Sequence, residues 1–518
     1  MNSGSGKTGI VYLVGAGPGH PGLITRIGYD LLQHCDAVAY DALIPMELIA
    51  SLPERVERHY VGRRAGRHSM PQSEKNRLLV HLAQRGLNVV RLKGGDTSFF
   101  GGSAEEAECL AASGIPVVVV PGVTSASAVA AASGLPLTDR RGASWVFFAT
   151  GHGAAGEALP VPWREIAGLR GGTVVIYMGL ANLEQIVSLL LAGGQAGNTP
   201  CMAVQGATTG VQRIVDSTLS EVVRDCRQQQ LKPPALVIVG QVAQHRTSLA
   251  HLSTPMSGKR ILATCCAQET EAVCASLRSA GAEPLPYPTW ILEPFDDSEG
   301  WNRFAKLASS GGWCVFRSPL EVNEFVSALM HNGLDLRSLV KFRITSFGPG
   351  TEAALLRRSI RADVSMPSLP PALSRRDLTA VAGSAGVPTA DHLLIFSEET
   401  EMDGTEWAEI LRLRLFNRKP AVWEPHWIQE VRDNPPDYIL FRTPSDVDGF
   451  LDVLGPELAR DLARQCPVIA ADALTESAVR RQDLPFSTGK SKAFFEILES
   501  SRPTPQAKSI AGKQVGPG

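Results

Sequence analysis

No apolar run in this chain approaches the ~18 residues needed to cross a bilayer, so a membrane-spanning protein is not expected. An excess of one charge sign is also missing. Fifty Lys and Arg stand against 52 Asp and Glu, a formal net charge of −2 with no global footprint for nucleic acid or a membrane surface. The nine cysteines are odd in number and scattered, with Cys265 and Cys266 adjacent. No C-x-x-C or His/Cys cluster has zinc spacing, so no metal centre is expected, and reduced thiols in the cytosol are the simplest reading. Residues Met1 to Thr8 lack the apolar core of a secretory signal, which also favours a cytoplasmic protein. Gly6-Lys7-Thr8 ends like a phosphate-binding P-loop, but Met1 stands where the earlier glycine belongs and no strand precedes it.

What the chain does have is length, ordinary globular composition and glycine loops behind β-branched runs. At 518 residues it is too long for one core, and two to four domains are expected. Val11-Tyr12-Leu13-Val14 reads as a buried parallel strand ending in Gly15-Ala16-Gly17-Pro18-Gly19. Val89 to Lys93 ends likewise in Gly94-Gly95-Asp96, and Val117 to Val120 in Pro121-Gly122-Val123-Thr124-Ser125-Ala126. Ligands of open α/β sheets bind outside the carboxyl ends of strands, so three such loops are expected to line one crevice.

Between these strands, Leu23 to His34, Ser73 to Gln84 (capped by Ser73) and Ser103 to Ala112 carry helical spacing. Glu105, Glu106 and Glu108 suit a helix N-terminus. Ala37 to Tyr40 is a short strand delivering Asp41. Strand-helix alternation argues a parallel sheet. The tract Gly151 to Pro162 is read as separating a second lobe, whose strands lie near 144–148, 173–177, 200–204 and 235–239. Around Ala250 to Gly258 the pattern lapses into a linker that should let two halves fold separately. A new α/β unit starts at Arg260. In it, Phe316-Arg317-Ser318-Pro319 and Phe441-Arg442-Thr443-Pro444 echo each other, each joining a strand to a helix, which suggests two similar lobes. Residues 501–518 read as a disordered tail.

The first glycine loop resembles G-x-G-x-x-G, although His20 takes the third glycine's place, and Asp41 lies where a dinucleotide fold puts its ribose-binding acid. A nicotinamide fold and a purely structural turn both remain open on spacing alone. Arg91 and Lys93 flank the second loop, while Arg63, Arg64, Arg67 and His68 form another basic cluster. A charge cluster is commonly a solvated face, but these adjoin glycine loops and so favour a polyanionic substrate.

Val14-Gly15-Ala16-Gly17-Pro18-Gly19, Tyr40-Asp41, the run from Arg64 to Gln72, Val90 to Asp96 and Pro121 to Ala126 together resemble the signature blocks of uroporphyrinogen-III C-methyltransferases. Thr150-Gly151-His152, Tyr177-Met178-Gly179 and Pro234 to Gly240 continue the resemblance, which covers about residues 9–248. It implies a two-lobed α/β tetrapyrrole methylase, usually a homodimer. Such an enzyme transfers methyls from S-adenosylmethionine to uroporphyrinogen III and gives precorrin-2. By position, Pro18, Gly94, Gly95, Asp96, Phe99, Thr124, Ser125, Met178 and Gly206 would contact S-adenosylmethionine, and Asp41 matches the family's proton acceptor. Arg63 stands where the family usually has a Lys assigned as proton donor; a permanently protonated Arg suits anion binding, not acid catalysis. His20 replaces the usual Asp, Thr97-Ser98 the usual Pro and its neighbour, and Gly102 an Arg.

Residues 259 to about 500 resemble uroporphyrinogen-III synthase, a lyase that closes linear hydroxymethylbilane. The resemblance rests on the paired Phe-Arg-(Ser/Thr)-Pro segments, Gly348-Pro349-Gly350-Thr351 and Thr475-Glu476-Ser477-Ala478, with Asp472-Ala473-Leu474 in place of a usual Gly-Pro. Ser318, Thr443 and Ser445 are candidates to bind carboxylates, or else only cap the helices that follow.

The expected architecture is therefore a two-lobed methylase at 9–250 (lobes 9–142 and 143–250), a linker at 251–258, a bilobed α/β synthase-like domain at 259–500, and a tail. The expected protein is a cytoplasmic enzyme using S-adenosylmethionine and no metal, on the branch leading to sirohaem and cobalamin. Its expected partners are small tetrapyrroles and a second copy of itself, without nucleic acid or membrane. No dehydrogenase or chelatase module precedes Val11, so later steps are expected to need another protein. Two alternatives stay open: an NAD(P)-dependent oxidoreductase, and a methylase whose C-terminal half only binds tetrapyrrole.

Overall fold

The structure, a computed structural model, describes residues 8–62, 70–152, 161–245, 256–366, 378, 392–396 and 409–486, together with 488, 489, 491, 492, 494 and 495. Arg63 and the basic run behind it, most of the expected linker and the expected tail lie outside these described residues.

Strands β1 (Val11–Gly15), β2 (Ala37–Tyr40), β3 (Glu57–Tyr60), β4 (Val89–Lys93) and β5 (Val117–Val120) form one sheet in the order β3-β2-β4-β1-β5. Every pairing is parallel, with Val14 opposite Leu92 and Val120. The carboxyl ends therefore share one edge, and the loops after them meet there. The chain moves from β1 to one side for β2 and β3, then crosses back to β5. That reversal puts the topological switch point at the neighbouring loops of β1 and β4, where a ligand crevice forms. Because β4 lies between β1 and β2, Asp41 is two strand spacings, about 10 Å, from the β1 loop. A dinucleotide fold sets these strands side by side, so the order disfavours the oxidoreductase alternative.

Helices cover the sheet, with two departures from the sequence pattern. The segment expected to be helical from Leu23 instead opens with a 3-10 turn at Pro21–Leu23, held by Gly22 N donating to His20 Nδ1 at 2.9 Å. The α-helix runs from Arg26 to His34, capped by Thr25 Oγ1 accepting from Gly28 N. Ser73 is not a cap: the helix Gln72–Gln84 starts directly behind Pro71, which leaves Ser73 inside the first turn.

A second sheet contains β6 (Trp145–Thr150), β7 (Gly172–Tyr177), β8 (Pro200–Gln205), β9 (Arg213–Thr218) and β10 (Ala235–Val239), ordered β6-β7-β10-β8-β9. Only β6 and β7 are parallel. The passage between sheets falls between Ser133 and Trp145, ahead of the Gly151–Pro162 tract.

From Arg260 the chain forms β11 (Arg260–Ala263) and β12 (Glu283–Pro286). It next builds β13 (Trp290–Pro294), β14 (Gly312–Phe316), β15 (Phe342–Phe347), β16 (Val364–Met366), β17 (His392–Ile395), β18 (Glu409–Arg412) and β19 (Phe416–Pro420). It ends with β20 (Tyr438–Phe441) and β21 (Val468–Ala470). The chain divides into two compact units. One holds everything up to Cys265, with Thr270–Pro288 and the chain from Trp423 onward; the other is Cys266–Glu269 and Thr289–Val422.

The first unit thus includes the methylase-like sheets and a third, parallel sheet β12-β11-β20-β21. One apolar cluster runs through Val38, Tyr40, Ile44 and Leu48 of the first sheet to Leu262, Tyr287, Trp423 and Trp427 of the third. The second unit has a parallel sheet β16-β15-β14-β17-β18 and the antiparallel pair β13/β19. Its core packs Trp301, Phe304, Phe325 and Phe342.

Each echo segment is a strand, a cap and a helix. Ser318 Oγ accepts from Glu321 N, and Thr443 with Asp446 makes a full capping box. The capping alternative for these two hydroxyls accounts for their hydrogen bonds. Among the described residues no helix is long and apolar enough to cross a membrane, and no group of three His, Cys, Asp or Glu is placed to hold a metal.

Candidate active site

Three glycine loops meet at the switch point with bare backbone in contact. Gly17 N donates to Gly95 O at 3.1 Å, and Gly95 N donates back to Gly17 O at 2.8 Å. A Cβ on Gly122 would stand 2.3 Å from Gly95 O and 2.8 Å from Gly15 Cα, so no side chain fits between the loops. Gly95 has φ +72°, which glycine adopts without strain. Asp96, 8 % exposed, fastens the junction: one carboxylate oxygen accepts from Ser98 N at 2.7 Å, the other from Gly122 N at 2.8 Å. The next residue is less well served. Thr97 Oγ1 is fully buried without a hydrogen-bond partner, at the position where a proline is usual in the signature blocks.

The second sheet closes the crevice from the other side. Thr124 Oγ1 lies 2.7 Å from Tyr177 OH, which also accepts from Ala126 N at 3.2 Å. The Tyr177 phenol therefore ties the end of β7 to the first turn of the helix Ser125–Ser133. Burial pushes that phenol above its ordinary pKa. Phe99 packs edge-on to Phe148 at 5.6 Å, and Phe100 lies 4.9 Å from Tyr177. His20 N donates to Thr208 Oγ1, which brings the β1 loop onto the turn after β8.

Phe100, Met178 and Thr208 all take positive φ on this rim, a backbone state costing roughly 1–2 kcal/mol for a side chain with a Cβ. Phe99 and Met178 are 40 % and 51 % exposed, apolar side chains turned to open space. The structure thus brings Pro18, Gly94, Gly95, Asp96, Phe99, Thr124, Ser125, Met178 and Gly206 onto loops joined through these contacts. Arg63 lies outside the described residues.

Asp41 stands on the adjoining wall, where a Cβ on Gly94 would lie 3.5 Å from Leu43 Cβ. Arg91 Nη2 donates to both Asp41 oxygens at 2.8 and 2.9 Å, and Lys75 Nζ lies at 4.0 Å. Arg91 is 2 % exposed and also reaches Glu106 at 3.2 Å. Glu106 in turn accepts from Lys93 at 2.6 Å and from Gln72 at 3.2 Å. Burial opposes the Arg91 charge, but Asp41 and Glu106 outweigh it and hold the guanidinium more firmly protonated than usual. For Glu106 burial likewise opposes ionisation, and Arg91 with Lys93 still holds its pKa below the usual carboxylate range. Lys93 is different, since burial lowers its pKa in spite of Glu106.

This network corrects one expectation. Arg91 and Lys93 are not a surface for a polyanion; both point into the protein and are spent on Asp41 and Glu106. Glu106 lies in the first turn of its helix, as expected, and is an interior counter-ion as well. The signal for the two cations was the alternation in Val90-Arg91-Leu92-Lys93, which sets them on one face of a buried strand.

A parallel sheet with glycine loops at its switch point, closed by a second sheet with an aromatic rim, defines a cleft-binding α/β protein. Residues 10–223 match the family model of tetrapyrrole (corrin/porphyrin) methylases, and residues 271–488 that of uroporphyrinogen-III synthase HemD. The porphyrin biosynthesis protein HemD of Ruminiclostridium josui is 32% identical over 454 residues, 86% of this chain and 88% of that one. The siroheme synthase of Pseudomonas paraeruginosa is 45% identical over 243 residues, covering 47% of this chain and 52% of its own. This chain therefore spans about half the length of such relatives. A uroporphyrin-III C-methyl transferase from Thermus thermophilus, solved with S-adenyl homocysteine, matches 46% of this chain and 100% of its own at 39% identity and a TM-score of 0.40.

The chain belongs to the porphyrin-biosynthesis proteins that join a tetrapyrrole methylase to a uroporphyrinogen-III synthase. It carries a methyltransferase domain followed by a uroporphyrinogen-III synthase domain.

Proposed function

We propose that residues 9–250 methylate uroporphyrinogen III twice from S-adenosylmethionine to give precorrin-2, and that residues 259–500 supply that substrate by cyclising hydroxymethylbilane. The observation that carries the first half is the meeting of bare glycine backbone, an exposed apolar rim and a charged wall in one crevice. The residue types fit the methyl donor. Backbone bare of side chains at Gly94 and Gly95 suits its polar groups, while Phe99 and Met178 suit its apolar and aromatic parts. Pro18, Asp96, Thr124, Ser125 and Gly206 complete the proposed set. Bound there, S-adenosylmethionine supplies an electrophilic methyl group.

The chain's own part is positioning, because displacement at a sulfonium needs an in-line approach and little covalent help. A carbon nucleophile becomes cationic as it attacks. Asp41 lies where an anion can stabilise that charge and take up the proton released. Arg91 Nη2, donating to both carboxylate oxygens, keeps Asp41 oriented. Arg63 is proposed to grip the substrate's carboxylates. A cytoplasmic homodimer joined through the methylase half completes this reading.

Incubating the whole protein with hydroxymethylbilane and labelled S-adenosylmethionine tests it. Doubly labelled precorrin-2 is the expected product. Label incorporated only when uroporphyrinogen III itself is supplied would reduce the C-terminal half to a tetrapyrrole-binding module.

A further inference from the structure

The walls of the methylase crevice do not end with the methylase half. Tyr40, which immediately precedes Asp41, is 2 % exposed, and its hydroxyl lies 3.2 Å from His426 Nε2. Tyr60, the last residue of β3, stacks on the same imidazole at 3.9 Å with the ring planes 12° apart. The two tyrosines also meet edge to face at 5.6 Å. His426 belongs to the helix Pro425–Asp433 in the C-terminal half of the sequence. One imidazole therefore sits against the ends of two adjacent strands, one of them leading into Asp41.

Other contacts hold the same surfaces together. Arg278 grips Glu47 of the short helix Met46–Ala50 with hydrogen bonds of 2.6 and 2.7 Å, and both side chains are largely buried. Gly210, in the turn that follows Gly206, donates its N–H to Glu283 Oε2 at 2.7 Å and accepts from Gly258 N at 2.7 Å. The Asp41 strand end and the Gly206 turn are thus both braced by residues beyond the methylase family match, which ends at residue 223.

We propose that His426 is a positioning residue for the methylase: its ring holds the strand end that presents Asp41, making methyl transfer dependent on the synthase half. A stacked ring resists tilting of Tyr60, and the hydrogen bond to Tyr40 fixes the rotation of the residue next to Asp41. Neither contact touches the proposed cofactor loops, so the effect belongs to the rate of transfer rather than to cofactor affinity. The inference rests on the methylation reading above.

The test uses the full chain as wild type, H426A and H426F. Methylation of supplied uroporphyrinogen III is followed at saturating S-adenosylmethionine, beside S-adenosylhomocysteine affinity by calorimetry, hydroxymethylbilane cyclisation and thermal unfolding. H426A should lower kcat by roughly 10–100-fold, the scale on which an ångström of misplacement acts, with affinity and cyclisation nearly unchanged. H426F keeps a flat ring against Tyr60 and should recover most of the rate. Wild-type kcat in H426A would overturn the proposal, as would an H426F enzyme no faster than H426A. Parallel loss of affinity, cyclisation and melting temperature in both variants would overturn it too, by showing only a structural role. A wild-type chain that methylates nothing would instead overturn the functional reading on which the proposal stands.

Discussion

Asp41 and Glu106 share a charged network but are expected to fail in different ways. Asp41→Asn keeps the shape and one acceptor for Arg91, while removing the anion that would face a cationic carbon. Turnover should fall by roughly 10²–10⁴-fold with S-adenosylhomocysteine affinity nearly constant, read by single-turnover methylation and calorimetry. Lost affinity with surviving turnover would assign Asp41 to the ribose instead. Glu106→Gln acts on stability. It leaves Arg91 and Lys93 buried with one counter-ion fewer, and breaking a buried pair costs roughly 3–5 kcal/mol.

The pH dependence of that loss has a definite sign. Glu106 titrates below its ordinary value of 4.5 in the fold, so the folded state binds fewer protons than the unfolded one just below that pH. Its contribution is complete above 4.5 and is lost as pH falls through the folded pKa. Denaturant unfolding between pH 7 and 3 should therefore show a shallower acid loss in Glu106→Gln than in the wild type. Parallel curves would mean that other carboxylates carry the acid sensitivity.

Among the elements, the strands were legible and the helix starts less so. β2 and the helix Ser103–Ala112 occupy the spans that their alternation and periodicity indicate. The start after Leu23 shifted because Pro21 and Thr25 both offer beginnings, and the side-chain cap at Thr25 prevails. The loops depend on one another more than their separate motifs suggest. Asp96 accepts two backbone amides from two loops, so Asp96→Ala should loosen the Gly95–Gly122 contact as well as remove a carboxylate from the crevice. Affinity for S-adenosylhomocysteine should fall by roughly 1–3 kcal/mol, measured by calorimetry. Unchanged affinity would remove Asp96 from the site.

For the whole molecule, separate folding of two halves was the natural reading of a lapse in pattern near residues 250–258, and the apolar cluster spanning Tyr40, Leu48, Tyr287 and Trp427 argues otherwise. The helix Met46–Ala50 packs against β12 and against the helix Thr270–Ser279. A fragment ending at residue 252 would leave that surface bare and Glu47 without Arg278. Burial already raises the Glu47 pKa, with Arg278 acting against it. The fragment should melt well below the full chain and tend to self-associate, as followed by calorimetry and light scattering. Equal melting would restore the view of two separable domains.

Short-range pattern was enough to determine which residues form strands, where glycine turns end them, and that Asp41 and Asp96 close two of those strands. Such features depend on neighbours a few positions apart, and periodicity and turn chemistry report those directly. Only the tertiary structure decided that β4 slips between β1 and β2, that Arg91 faces Asp41 and Glu106, and that His426 lies against Tyr40 and Tyr60. Those partners are 50, 15 and 386 residues distant in the case of Arg91–Asp41, Arg91–Glu106 and Tyr40–His426. A charge or ring at such separation has no local signature, because what selects its partner is the burial that folding itself creates.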